Sequence, residues 1–69
     1  MAITHTKKYG IYHWDTFDNE TILVGEADTD VEAIEFVNDK YGDRMKRTGA
    51  DQVEIVDLKG NVIERFSVS

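Results

Sequence analysis

Cysteine and proline are both missing from the 69 residues. Without cysteine there is no disulfide framework, no thiolate zinc site and no cysteine nucleophile. The chain therefore lacks the usual staples of very small domains, and apolar packing or self-association must supply its stability. No repeat, low-complexity tract or linker is visible. No apolar run approaches a membrane-spanning length, and Met1–Lys8 lacks the apolar core and small-residue cleavage site of a signal peptide, so a cytoplasmic protein without a membrane partner is expected. The sequon Asn19-Glu20-Thr21 is accordingly taken as accidental.

Basic residues are scarce. Eight Lys and Arg face 14 Asp and Glu, for a net charge of −6. That balance disfavours broad contact with nucleic acid, which needs Lys and Arg to displace counterions, and it leaves attraction to a basic protein partner open. The five glycines are scattered singly, so no phosphate-cradling loop is present.

What remains is nearly all core-making pattern. Lys8–Phe17 is rich in aromatic and β-branched residues and reads as a strand. Tyr9, Ile11 and His13 fall on one face, and Tyr12 and Trp14 on the other. Asp18-Asn19-Glu20 supplies a turn, and Thr21–Ala27 returns as a second strand. Thr29 with Glu32 three residues on forms a capping-box pattern that starts a helix. Ala33, Ile34, Val37, Tyr41 and Met45 make its apolar stripe, with Phe36 at the edge. Acidic Asp30, Glu32 and Glu35 near its start and basic Arg44, Lys46 and Arg47 near its end suit the helix dipole. We expect the helix to run through Gly42 and stop at Gly49, at a cost of about 1 kcal/mol relative to alanine, tolerable if the backbone packs closely there. Gln52–Leu58 and Val62–Val68 read as a hairpin turning at Lys59-Gly60-Asn61, with Gly60 at positive φ. Val53, Ile55, Val62, Phe66 and Val68 are expected inward. Glu54, Glu64 and Arg65 are expected in water.

The fold class that follows is α+β: a ββαββ domain over residues 1–69, a four-stranded antiparallel sheet with one helix on one face, and residues 1–7 flexible. Strand order, and which face of the first strand meets the helix, stay open. One helix covers one face, so apolar residues left on the other would form an association patch. The candidates are Tyr12, Trp14, Leu23, Val56, Leu58 and Ile63, with the open sheet edges as a second route.

Other candidate sites are weaker. Asp28-Thr29-Asp30-Val31-Glu32 resembles the start of a calcium loop, but Ala33 and Asn38 stand where glycine and glutamate are required, and helix capping explains the same residues. His5 and His13 lack zinc-ligand spacing. His5 is expected in the flexible tail and His13 on a strand surface, where it could pair with Asp15 but has no nucleophile or oxyanion donor beside it. Tyr9, Tyr12, Trp14 and Phe17 could stack bases, but Asp15 and Asp18 are interleaved among them. No metal, cofactor or catalytic residue is expected.

The aromatic strand containing Trp14, the helix start Thr29-Asp30-Val31-Glu32-Ala33-Ile34 and the hairpin Val56-Asp57-Leu58-Lys59-Gly60-Asn61-Val62-Ile63 together resemble small bacterial and phage families of ββαββ domains of unassigned function. The chain is also distantly similar to the partial ribonuclease-H-like domain of HicB-type antitoxins, in which a hairpin leads into an acidic helix start. The Pro-Asp-Leu-Pro-Gly-Cys-like turn expected there is absent, so no residue or activity carries over. The leading expectation is a non-enzymatic protein-interaction module, a homodimer joined through a sheet face or edge. The alternative is an acidic inhibitor encoded by a mobile element, occupying a basic nucleic-acid groove of its target with Asp15, Asp18, Glu20 and the carboxylates near Thr29. Nucleic-acid binding through Tyr9–Trp14 and Lys40–Arg47 ranks third.

Overall fold

A computed structural model describes residues 4–44 and 51–68. Strand β1 spans Tyr9–Asp15, β2 Glu20–Ala27, helix α1 Asp30–Tyr41, β3 Asp51–Asp57 and β4 Val62–Val68. All neighbouring strands run antiparallel in the order β2-β1-β3-β4, so β1 and β3 are central while β2 and β4 are edges. This is the expected α+β arrangement, with the helix packed on one face.

The turns form through carboxylates that satisfy backbone donors. Asp15 Oδ1 accepts from the amides of Phe17 and Asp18 at 2.9 and 3.3 Å, and Asn19 takes φ 55°. Asp57 Oδ1 accepts from Lys59 and Asn61 at 2.8 and 2.9 Å, and Gly60 takes φ 89° as expected. The helix is capped by Thr29, whose Oγ1 accepts from the Glu32 amide at 3.1 Å.

Tyr9, Ile11 and His13 turn toward the helix. Ile11, Ala27, Ala33, Val37, Tyr41, Val53, Ile55 and Val68 form the buried core, flanked by Tyr9, Val24, Ile34, Phe36 and Phe66. Gly25 gives Phe36 its seat, since a Cβ there would lie 2.5 Å from the ring.

Three expectations need correction. The α-helix ends at Tyr41 and is followed by one 3₁₀ turn over Gly42–Arg44 instead of running on. Gly42 has open space around its missing side chain, so no close packing offsets its weak helix propensity. Met45, Lys46, Arg47 and Gly49 lie outside the described residues.

Val62 does not face inward. A β-bulge between Ile55 and Val56 pairs Val62 with Val56 on the face away from the helix and leaves Ile63 as the extra residue.

Glu54 is not in water but 3% exposed. Its Oε2 accepts from Arg65 Nε at 2.9 Å and Nη2 at 2.7 Å across the β3–β4 pair, which is what makes a buried carboxylate tolerable there.

Candidate interaction surface

The face of the sheet away from the helix carries Gly10, Tyr12 and Trp14 from β1, with Gln52, Glu54 and Val56 paired beside them on β3. A second bulge, between Ile11 and Tyr12, makes Leu23 the partner of Tyr12 and so brings it to this face from β2. Ile63, Arg65 and Ser67 complete it from β4.

The face is not bare. Residues 4–8 fold back over it as a hook. His5, expected in a free tail, is 5% exposed. Its ring sits over Gly10, where a Cβ would lie 2.4 Å from Nδ1, so the missing side chain is the seat. His5 Nδ1 is 2.7 Å from Tyr12 Oη, and the rings meet edge to face at 5.6 Å. Tyr12 Oη accepts the Thr4 amide at 3.1 Å. The Tyr12 hydroxyl thus joins Thr4 and His5 Nδ1, whereas His5 Nε2 is buried with no partner among the described residues. Glu26 Oε1 holds the rest of the hook through the amides of Thr6 and Lys7. Those donors, the Thr6 amide first, lower the Glu26 carboxyl below its ordinary range.

The six candidate interaction residues are therefore divided. Tyr12 and Val56 are buried in the monomer beneath and beside the hook, and Leu23 is half-buried. Trp14 is exposed at the end of the face near the β1–β2 turn, whereas Leu58 and Ile63 are exposed at the opposite end. Trp14 pairs with Gln52, and the six positions from there to Leu58 are roughly 20 Å of strand. Val62, placed outside by its bulge, joins Ile63. This addition was not legible in the alternation.

On the helix side, His13 is tied into the fold and does not stand as a surface histidine. Its Nε2 lies 3.1 Å from Asp51 Oδ2 and its Nδ1 2.9 Å from Tyr41 Oη; the expected partner, Asp15, instead holds its own turn. An ionised carboxylate only accepts, so Nε2 carries the hydrogen that Asp51 receives, while Nδ1 shares a hydrogen bond with the Tyr41 hydroxyl. Asp51 also accepts from Thr16. With His13 as the leading cause, these donors lower its carboxyl below the ordinary range. Both imidazole nitrogens are engaged internally, so the arrangement joins α1, β1, β3 and the first turn. The signal was tertiary, since Asp51 is 38 residues from His13.

A shallow cleft of about 320 Å³ lies at the Leu58 end, lined by Lys8, Tyr9, Asp57, Leu58, Lys59 and Asn61. Donors from the turn, the Asn61 amide first, hold the Asp57 carboxyl below its usual range. Among the described residues, no group of three His, Asp or Glu is placed to hold a metal ion, and no helix is long and apolar enough to cross a membrane. The carboxylates of the inhibitor expectation do not converge, because Glu20 begins β2 while Asp28 and Asp30 follow its far end. Lys46 and Arg47 of the basic cluster expected to meet nucleic acid lie outside the described residues. No protein-family model, no curated protein and no solved structure matches the chain.

Proposed function

We propose that this domain is a cytoplasmic, non-enzymatic protein-interaction module that self-associates through the outer face of its sheet and the adjoining β4 edge. The carrying observation is that four large apolar residues of one face, Trp14, Leu58, Val62 and Ile63, stay 40–52% exposed in a small, strongly acidic chain, whereas the other exposed ones, Phe17, Ile22 and Val31, stand apart in the first turn, on the helix-side face and on the helix. Apolar side chains left exposed at both ends of one sheet face favour association, and an unpaired edge strand offers backbone donors and acceptors beside them. Association also supplies burial that a domain of this size lacks, since alone it removes only about 60% of the surface its unfolded chain exposes.

Light scattering across a dilution series, from low to high micromolar concentration, tests the reading. A concentration-dependent dimer that Ile63→Lys or Trp14→Lys dissociates supports it. A monomer throughout the range, both for wild type and with the residue 4–8 hook released by Gly10→Ala, overturns it.

A further inference from the structure

We propose that the N-terminal hook is a displaceable plug, and that lifting it lets two copies of this chain pair outer face to outer face. The inference rests on the self-association reading and adds the device that controls it. The hook is held in a way that permits release. Its hydrogen bonds run to the Tyr12 and Glu26 side chains, so it detaches without breaking a strand ladder. It also buries His5 Nε2 with no partner among the described residues, an uncompensated desolvation that weakens its hold. Local opening draws on such weakly held segments.

Lifting the hook uncovers what it now covers. Tyr12 lies cross-strand from Leu23 and two positions from Trp14, while Val56 lies beside Gly10 and pairs with Val62. With His5 gone, Trp14, Tyr12 and Leu23 on one side and Val56, Val62 and Ile63 on the other are parted along the face by bare Gly10, beside the Glu54–Arg65 pair.

Two further observations select a second copy as the occupant. The first is charge. Glu54 is neutralised by Arg65 on this face, leaving Glu26 at its margin, whereas the whole chain carries −6. Two such faces bring together only one unpaired carboxylate each, at the margin, and a basic partner would find little to attract it here. The second is area. The molecule measures 28 × 24 Å in its two longer dimensions, which bounds the open face at roughly 650 Å² per protomer, near the ~800 Å² that each partner of a stable complex buries. The exposed ends alone, with the hook in place, fall well short.

The test is Gly10→Ala, which puts a methyl group into the His5 seat, measured beside wild type by sedimentation equilibrium. Amide exchange of Thr6 and Lys7 reports whether the hook has left. The expected result is lost protection at both amides with a dimer dissociation constant lowered by at least about tenfold, reversed by adding Leu23→Lys. If Gly10→Ala does not fold, the pair His5→Ser with Glu26→Ala releases the hook by removing the His5 ring from Tyr12 and the acceptor of the Thr6 and Lys7 amides, and is held to the same outcome. Wild type and released variant dimerising with equal affinity leaves the self-association reading standing and overturns the plug. Both remaining monomeric overturns both.

Discussion

Replacing Arg65 with alanine would leave the Glu54 carboxylate buried without its guanidinium, and the cost can be worked from the geometry. Glu54 receives two N–H groups from Arg65, and its side chain is 4% exposed against 57% for Arg65. Breaking a fully buried pair costs about 3–5 kcal/mol. Because the arginine head is more than half in water, solvent can partly replace it, and the expected loss is about 2 kcal/mol. Lysine at the same position keeps the charge but loses the planar fork, for a loss of about 1 kcal/mol. Changing both residues to leucine removes the buried charge with its partner and should return to within about 1 kcal/mol of wild type. Urea unfolding followed by Trp14 fluorescence suits the measurement. With a slope of about 1 kcal/mol/M for so small a domain, Arg65→Ala moves the midpoint by about 2 M. That is a large part of the roughly 3–10 kcal/mol such a chain holds in total. Single changes that each cost under about 0.5 kcal/mol, or that add without coupling in the double variant, would refute the claim that Arg65 is what permits Glu54 to be buried.

Gly25→Ala should destabilise by about 1–3 kcal/mol through overpacking against the Phe36 ring, and adding Phe36→Leu should recover most of the loss; an unrelieved double variant would contradict that contact. Gly42→Ala should stabilise by about 0.5–1 kcal/mol, because Gly42 already has helical angles and open space for a Cβ, and a lowered thermal midpoint would argue against it. Asp51 is held more acidic in the folded chain than in the unfolded one, so the unfolded state binds its proton first. Its stabilisation is therefore complete above the ordinary carboxylate pKa of about 4 and is lost as pH falls below it through the folded value. Asp51→Asn should flatten that part of the stability profile, and wild-type and variant urea midpoints that stay parallel below about pH 4 would exclude the effect.

Periodicity and turn chemistry were enough to read the ββαββ order, the Thr29 cap, the Gly60 turn and the helix-facing set of Ile11, Val53 and Ile55, because each depends on residues a few positions apart. The candidate surface was read in part. Tyr12, Trp14 and Val56 do share the face away from the helix, but the order β2-β1-β3-β4 and two bulges decide which neighbours they meet. A bulge leaves no mark in an alternating pattern, so Val62 was placed on the wrong side. His5 looks like tail because nothing local holds it; its seat is an absent side chain at Gly10, its partner is the Tyr12 hydroxyl, and the residues after it are anchored by Glu26. Glu54 and His13 were misplaced for the same reason, since a polar residue reads as solvent-facing until the chain brings Arg65, or Tyr41 and Asp51, against it. Local pattern settles which segments form and which faces are apolar. The pairing of distant polar groups, and with it how much of a face is left uncovered, is set when the strands are assembled, because those contacts exist only between residues that the chain order keeps apart.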